Sequence, residues 1–63
     1  MGANSTHYYL IKDQDEGVIV RRATAKEASR YADDNLSTVI GAFAYDYEAK
    51  TAARALNGVV FER

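Results

Sequence analysis

The chain has 63 residues, with 8 Lys plus Arg against 9 Asp plus Glu, a formal net charge of -1, and no Cys, Pro or Trp. Without cysteine there is no disulfide framework, no cysteine-type zinc site and no thiol catalysis, and His7 alone cannot build a histidine metal cluster. The near-even charge excludes a protein that coats nucleic acid through a strong basic excess.

Hydrophobic residues make up 48% of the chain, but 11 of them are Ala and 5 are Tyr, which leaves 13 Val, Ile, Leu and Phe besides Met1. A domain of about 60 residues buries only about 60% of the surface its unfolded chain exposes. A core this thin anticipates support from a second copy or from a partner. The longest near-apolar run, Val39 to Tyr45, is far short of the roughly 20 residues a membrane span needs. The expected location is the cytoplasm.

Residues 1–6 are small and polar and are expected to form a disordered tail, with residues 7–63 as a single domain. From His7 the run HYYLIK is rich in strand formers, and after the polar DQDEG comes VIVRRA, a second such run. Two strand-like runs joined by a polar turn ending in Gly predict a β-hairpin. Thr24 then opens T-A-K-E, a capping box, and predicts a helix from about Ala25 to Asp34 that stops at Asn35. Its apolar face holds Ala28, Tyr31 and Ala32, with Leu36 at its margin, and pairs such as Arg30 with Asp34 support its charged face.

STVIGAFAY reads as the third strand, with Gly41 marking a bulge or a close backbone approach. Strict alternation sends Ile40, Ala42 and Ala44 to one face and Val39, Phe43 and Tyr45 to the other. Asp46 is the expected cap of a second helix, in which Ala49, Ala52, Ala53 and Leu56 form a stripe, and Asn57-Gly58 ends it. VVFER is expected to close the chain as a last strand. The expected fold is α+β, one small two-layer domain of order ββαβαβ, with a mainly antiparallel sheet and both Ala-rich helices on one face.

That arrangement leaves the other sheet face open, carrying Phe43, Tyr45 and one of the Tyr8 or Tyr9 series. An open aromatic face marks an interaction surface, because monomers seldom expose large apolar patches. The competing arrangement splits the helices across the two faces, or packs the tyrosines at the rim. A basic cluster, Arg21, Arg22, Lys26 and Arg30, follows the second strand; its guanidinium forks suit carboxylate or phosphate, and its alternative role is a solvated face balanced by Glu27, Asp33 and Asp34. Asp13, Asp15 and Glu16 form an acidic turn whose spacing does not fit a calcium loop, and they can serve as a knob for a basic partner. No nucleophile-and-base spacing and no phosphate-cradling Gly loop is present, so neither an enzyme nor a cofactor is expected.

Residues 41–58, GAFAYDYEAKTAARALNG, resemble the second half of an RNA-recognition motif, in which an aromatic strand leads into a helix ending in A-L-N-G. The resemblance implies stacking of unpaired bases on Phe43 and Tyr45, although Ile40 stands where that family's signature opens with a basic residue. YYLIKDQDEGVIVRRATAKEASRYAD is similar in layout to small phage-encoded inhibitors, including anti-CRISPR proteins. That likeness implies binding without catalysis, by occupying a surface that a host complex uses for nucleic acid or for a subunit. The leading expectation is a protein-binding module whose polar contacts come from Arg21, Arg22, Lys26 and Arg30 and whose anchors are Tyr8, Tyr9, Phe43 and Tyr45. The alternatives are a single-stranded nucleic-acid binder and a structural homodimer.

Overall fold

The computed structural model describes residues 5–56. The expected last strand, the Asn57-Gly58 stop and the first four residues of the expected tail lie outside them. Within them run β1 (Thr6–Asp13), β2 (Gly17–Thr24), α1 (Ala25–Asp34), β3 (Thr38–Phe43) and α2 (Asp46–Ala55), the expected α+β order as far as α2. β1 begins at Thr6, one residue inside the segment assigned to the tail, where it pairs with Thr24.

The hairpin forms because Asp13 closes its turn. Asp13 Oδ1 accepts from the amides of Asp15 and Glu16 at 2.8 and 3.1 Å, and Gly17 follows at φ 83°, a left-handed value that a side chain disfavours. The register then runs unbroken from Asp13↔Gly17 to Thr6↔Thr24. β3 joins β1 on its other side, giving the strand order β2-β1-β3 with both pairings antiparallel. β2 and β3 therefore run the same way, and α1 carries the chain across β1 between them.

The two helices lie on opposite faces of this sheet, which corrects the expected two-layer domain with both helices on one face. Residues directly opposite in an antiparallel pair share a face. Tyr9, Ile11, Ile19 and Ala23 pack with Ala28 and Tyr31 of α1. Leu10, Val18 and Val20, from the alternate positions, pack with Ala49 and Ala53 of α2. The reason lies in the strands: Tyr8–Ile11 and Val18–Val20 are continuous apolar runs, so the hairpin is apolar on both sides and needs cover on both. Ile11, Ile19 and Val20 are all 0% exposed, although Ile19 and Val20 point in opposite directions. The alanines allow this: Ala28, Ala49 and Ala53 are at most 1% exposed and bring each helix backbone close to the strands.

α1 starts as expected. Thr24 accepts from the Glu27 amide at 3.1 Å, and Glu27 Oε1 accepts from the Thr24 amide at 2.9 Å, while Asn35 caps the other end. Leu36 is displaced from the expected apolar face; it takes φ 55° and is 76% exposed. α2 differs at its start, where Tyr45 is the N-cap without a side-chain bond and Asp46 sits in the first turn, 3.4 Å from Lys50 Nζ. An acid there is favourable because the unpaired amides of a helix start carry partial positive charge. Leu56, expected on the apolar stripe, is exposed.

β3 departs from strict alternation. Leu10 pairs with Gly41 but Ile11 pairs with Val39, so Ile40 is the extra residue of a β-bulge. The bulge puts Val39 and Ala42 on the α1 face and Gly41 and Phe43 on the α2 face, correcting the expected grouping of Val39 with Phe43. Gly41 is also a close approach: a Cβ there would lie 3.2 Å from the Phe43 ring.

Candidate functional site

With a helix on each face, the sheet has no open aromatic face. Tyr9 is buried under α1, and Tyr8 and Phe43 pack half-buried against the α2 cluster. Of the four expected anchors only Tyr45 is exposed, at the junction of β3 and α2. Tyr47, two residues beyond it in the first turn of α2, is exposed as well, and the two rings stack at 5.6 Å with an 18° interplanar angle. Sequence reasoning missed Tyr47; its signal was the Tyr-x-Tyr spacing across a helix start, which leaves both rings outside the helix's Ala stripe.

Apart from Leu56 at the end of α2, the exposed large apolar side chains among the described residues lie on β3 and its flanks. Leu36 precedes the strand, Val39 and Ile40 lie in it, and Tyr45 and Tyr47 follow it. From Leu36 to Tyr45 there is no charged residue, and the outer edge of β3 has no neighbouring strand among the described residues. Exposed edge strands ordinarily carry Lys, Pro or another charge that blocks pairing with foreign strands. Among the described residues the Ile40 bulge is the one such device on this edge.

The opposite edge, β2, is charged. Alternation sends Arg21 toward α1 and Arg22 toward the α2 side, so the expected basic cluster is divided. The Arg21 guanidinium lies 4.6 Å above the centre of the Tyr31 ring, a cation–π contact, and its Nε is buried with no hydrogen-bond partner. Arg21, Glu27, Arg30, Tyr31, Asp34 and Asn35 line an open groove of about 270 Å³ between the end of β2 and α1. Arg30 and Asp34 both line it, but the expected ion pair between them is not formed. Lys26 and Arg22 are exposed outside this groove. The structure thus brings together Arg21 and Arg30 of the four basic residues, and adds Tyr31, which the sequence pattern assigned to the core.

Glu27 has its carboxyl held below its ordinary value, first by the Thr24 amide, then by the Thr24 hydroxyl, with a smaller contribution from the Arg21 charge. In the acidic turn, Asp13 is committed to backbone amides and its Oδ2 accepts from Ser37 Oγ at 3.2 Å; Asp15 stays exposed and Glu16 is half-buried. His7 packs edge-on against Tyr9, with ring centres 6.2 Å apart. Among the described residues, no group of three or more His, Cys, Asp or Glu side chains is placed to hold a metal ion. No described helix is long and apolar enough to cross a membrane. Compared with known proteins, the chain matches no family, no curated protein and no solved structure.

Proposed function

We propose that the chain is a non-enzymatic protein-binding module that docks through β3 and its flanks. The observation that carries this reading is the uncharged stretch from Leu36 to Tyr45, which holds a sheet edge with no neighbouring strand among the described residues and the exposed side chains of Val39 and Ile40, with the stacked Tyr45 and Tyr47 at its end. An edge of this kind supports strand addition, in which main-chain hydrogen bonds give affinity and alternate side chains give specificity. Tyrosine is an effective anchor because it brings a large rigid contact area at small entropic cost. The role implied by the layout of phage-encoded inhibitors, occlusion of a surface on a host complex such as a CRISPR effector, fits binding by an exposed edge and needs no catalytic group.

The nucleic-acid reading loses its main support, since the sheet face on which bases would stack is covered by α2. The homodimer reading keeps one argument: two copies of the β3 edge can pair antiparallel without charge repulsion. Affinity capture from the native host distinguishes these. Wild-type chain is compared with Ile40→Lys and Tyr47→Ala, both at exposed positions. A defined partner protein retained by the wild type and lost in both variants is the expected result. A captured set unchanged by either variant overturns the reading, and a concentration-dependent doubling of mass in light scattering, abolished by Ile40→Lys, assigns the edge to a homodimer instead.

A further inference from the structure

The outer edge of β2 also has no neighbouring strand among the described residues, because β1 occupies its other side. Its chemistry is the reverse of β3's. Arg21 and Arg22 stand side by side in this edge strand, and the unbroken pairing with β1 sends them to opposite faces of the sheet. On one face the Arg21 guanidinium lies over the Tyr31 ring at the groove it shares with Arg30. On the other face Arg22 is exposed. No hydrogen bond or ion pair from within the groove holds either guanidinium, although Glu27 and Asp34 share its lining and the Glu27 charge acts on Arg21. Arg21 Nε has no hydrogen-bond partner, Glu27 Oε1 is taken by the Thr24 amide, and Asp34 forms no ion pair with Arg30.

We infer that the β2 edge is a docking site for an extended acidic peptide segment, which adds a strand and presents two neighbouring carboxylates to opposite faces. One carboxylate enters the groove toward Arg21 and Arg30, and the next in sequence meets Arg22. Adjacent residues of a strand point to opposite faces, so one Asp-Glu pair serves both arginines while the backbone completes the ladder. Planar guanidinium forks bind carboxylates through paired charge-assisted hydrogen bonds. A second copy of β2 paired about Arg21 and Arg22 does not fit, because that register sets arginine against arginine, and like charges directly opposite destabilise a strand pair. A nucleic-acid strand supplies the anions but no alternating N–H and C=O groups for the ladder. This site stands apart from β3, and its success or failure leaves the reading of that edge untouched.

The probe is a blocked synthetic peptide of alternating Val and Thr with a central Asp-Glu pair, titrated into isotope-labelled full chain and followed by amide chemical shifts. Saturable shifts confined to β2 and the groove are expected, with affinity about tenfold weaker when the pair is Asn-Gln and about tenfold weaker in Arg22→Gln. Arg22 is exposed and outside the apolar clusters, so this variant keeps the wild-type melting temperature; Arg21→Gln gives the same loss with added shifts around Tyr31. Lys26→Gln leaves affinity unchanged. The inference is overturned by an Asn-Gln peptide that binds equally well, by full affinity in Arg22→Gln, by shifts centred on β3, or by the absence of saturable binding. Displacement of the peptide by a single-stranded oligonucleotide at lower concentration than the peptide itself also overturns it, and assigns the edge to phosphate.

Discussion

Truncating Ile19 and, separately, Val20 tests the three-layer arrangement, because these neighbours point to opposite faces and both are 0% exposed. In a two-layer domain one of them faces water, and its truncation changes stability by less than about 0.5 kcal/mol. With a helix on each face, both are costly. Ile19→Ala deletes three carbons, worth roughly 2.4 kcal/mol at about 0.8 each, and the cavity left against Ala28 and Tyr31 raises this to about 3 to 4 kcal/mol. Val20→Ala deletes two carbons, roughly 1.6 kcal/mol, and with its cavity against Ala49 and Ala53 costs about 2 to 3 kcal/mol. A chain of 63 residues at about 0.05 to 0.15 kcal/mol per residue has roughly 3 to 9 kcal/mol in total. Either variant removes a large part of that. Urea unfolding followed by far-ultraviolet circular dichroism reads the loss directly; with a slope of about 1 kcal/mol per molar, the midpoint falls by about 2 to 4 M. If either variant shifts the midpoint by under about 0.5 M at unchanged slope, the face concerned is not covered and the three-layer reasoning is refuted.

Thr24→Ala removes the hydroxyl that accepts from the Glu27 amide, and is expected to cost about 1 kcal/mol in the same assay. Because the capping box holds the Glu27 carboxyl below its ordinary value of 4.5, the unfolded chain takes up that proton first; the stability this group supplies is complete above that value and is lost as the pH falls through it and below. Glu27→Gln should therefore flatten the acid limb of a plot of melting temperature against pH, and an unaltered acid limb assigns that limb to other carboxylates. Gly41→Val places a branched side chain where a Cβ alone meets the Phe43 ring at 3.2 Å, and is expected to cost about 1 to 3 kcal/mol, with the ring resonances of Phe43 shifted. Leu36→Gly relieves a left-handed leucine that is mostly exposed, and a gain of about 0.5 kcal/mol is expected; a loss would show that Leu36 contributes packing.

What the sequence made legible was local. T-A-K-E states its own hydrogen bonds, so α1 begins where expected, and the polar turn before Gly17 fixes the hairpin. The placement of the helices was not legible from alternation, because Tyr8–Ile11 and Val18–Val20 have no polar positions to mark a solvent face. The continuity of those runs was itself the signal, since a strand apolar on both sides needs two covers. The error at β3 has a single cause: one inserted residue, Ile40, reverses the facing of everything on one side of it. The site divided along the same line. The separation of Arg21 from Arg22 follows from period-two alternation, whereas the meeting of Arg21 with Tyr31 and Arg30 depends on which face α1 takes. Tyr8, Tyr9 and Phe43 were chosen as anchors for an open face, and they became core once both faces were covered.

The strand that pairs with both of its neighbours is β1, which precedes all the other described elements along the chain. Its partner β2 follows after a three-residue turn, and its other partner β3 begins only at Thr38, beyond a whole helix. During synthesis the middle of the molecule therefore emerges before either side. The hairpin can close early through short-range pairs, while one long edge of β1 waits for β3 and must stay free of foreign strands until it arrives. The two alanine-lined helices are chain-local shutters on this process: α1 follows β2 at once and is available to shield one side of the nascent hairpin, whereas α2, which covers the other, emerges only after β3.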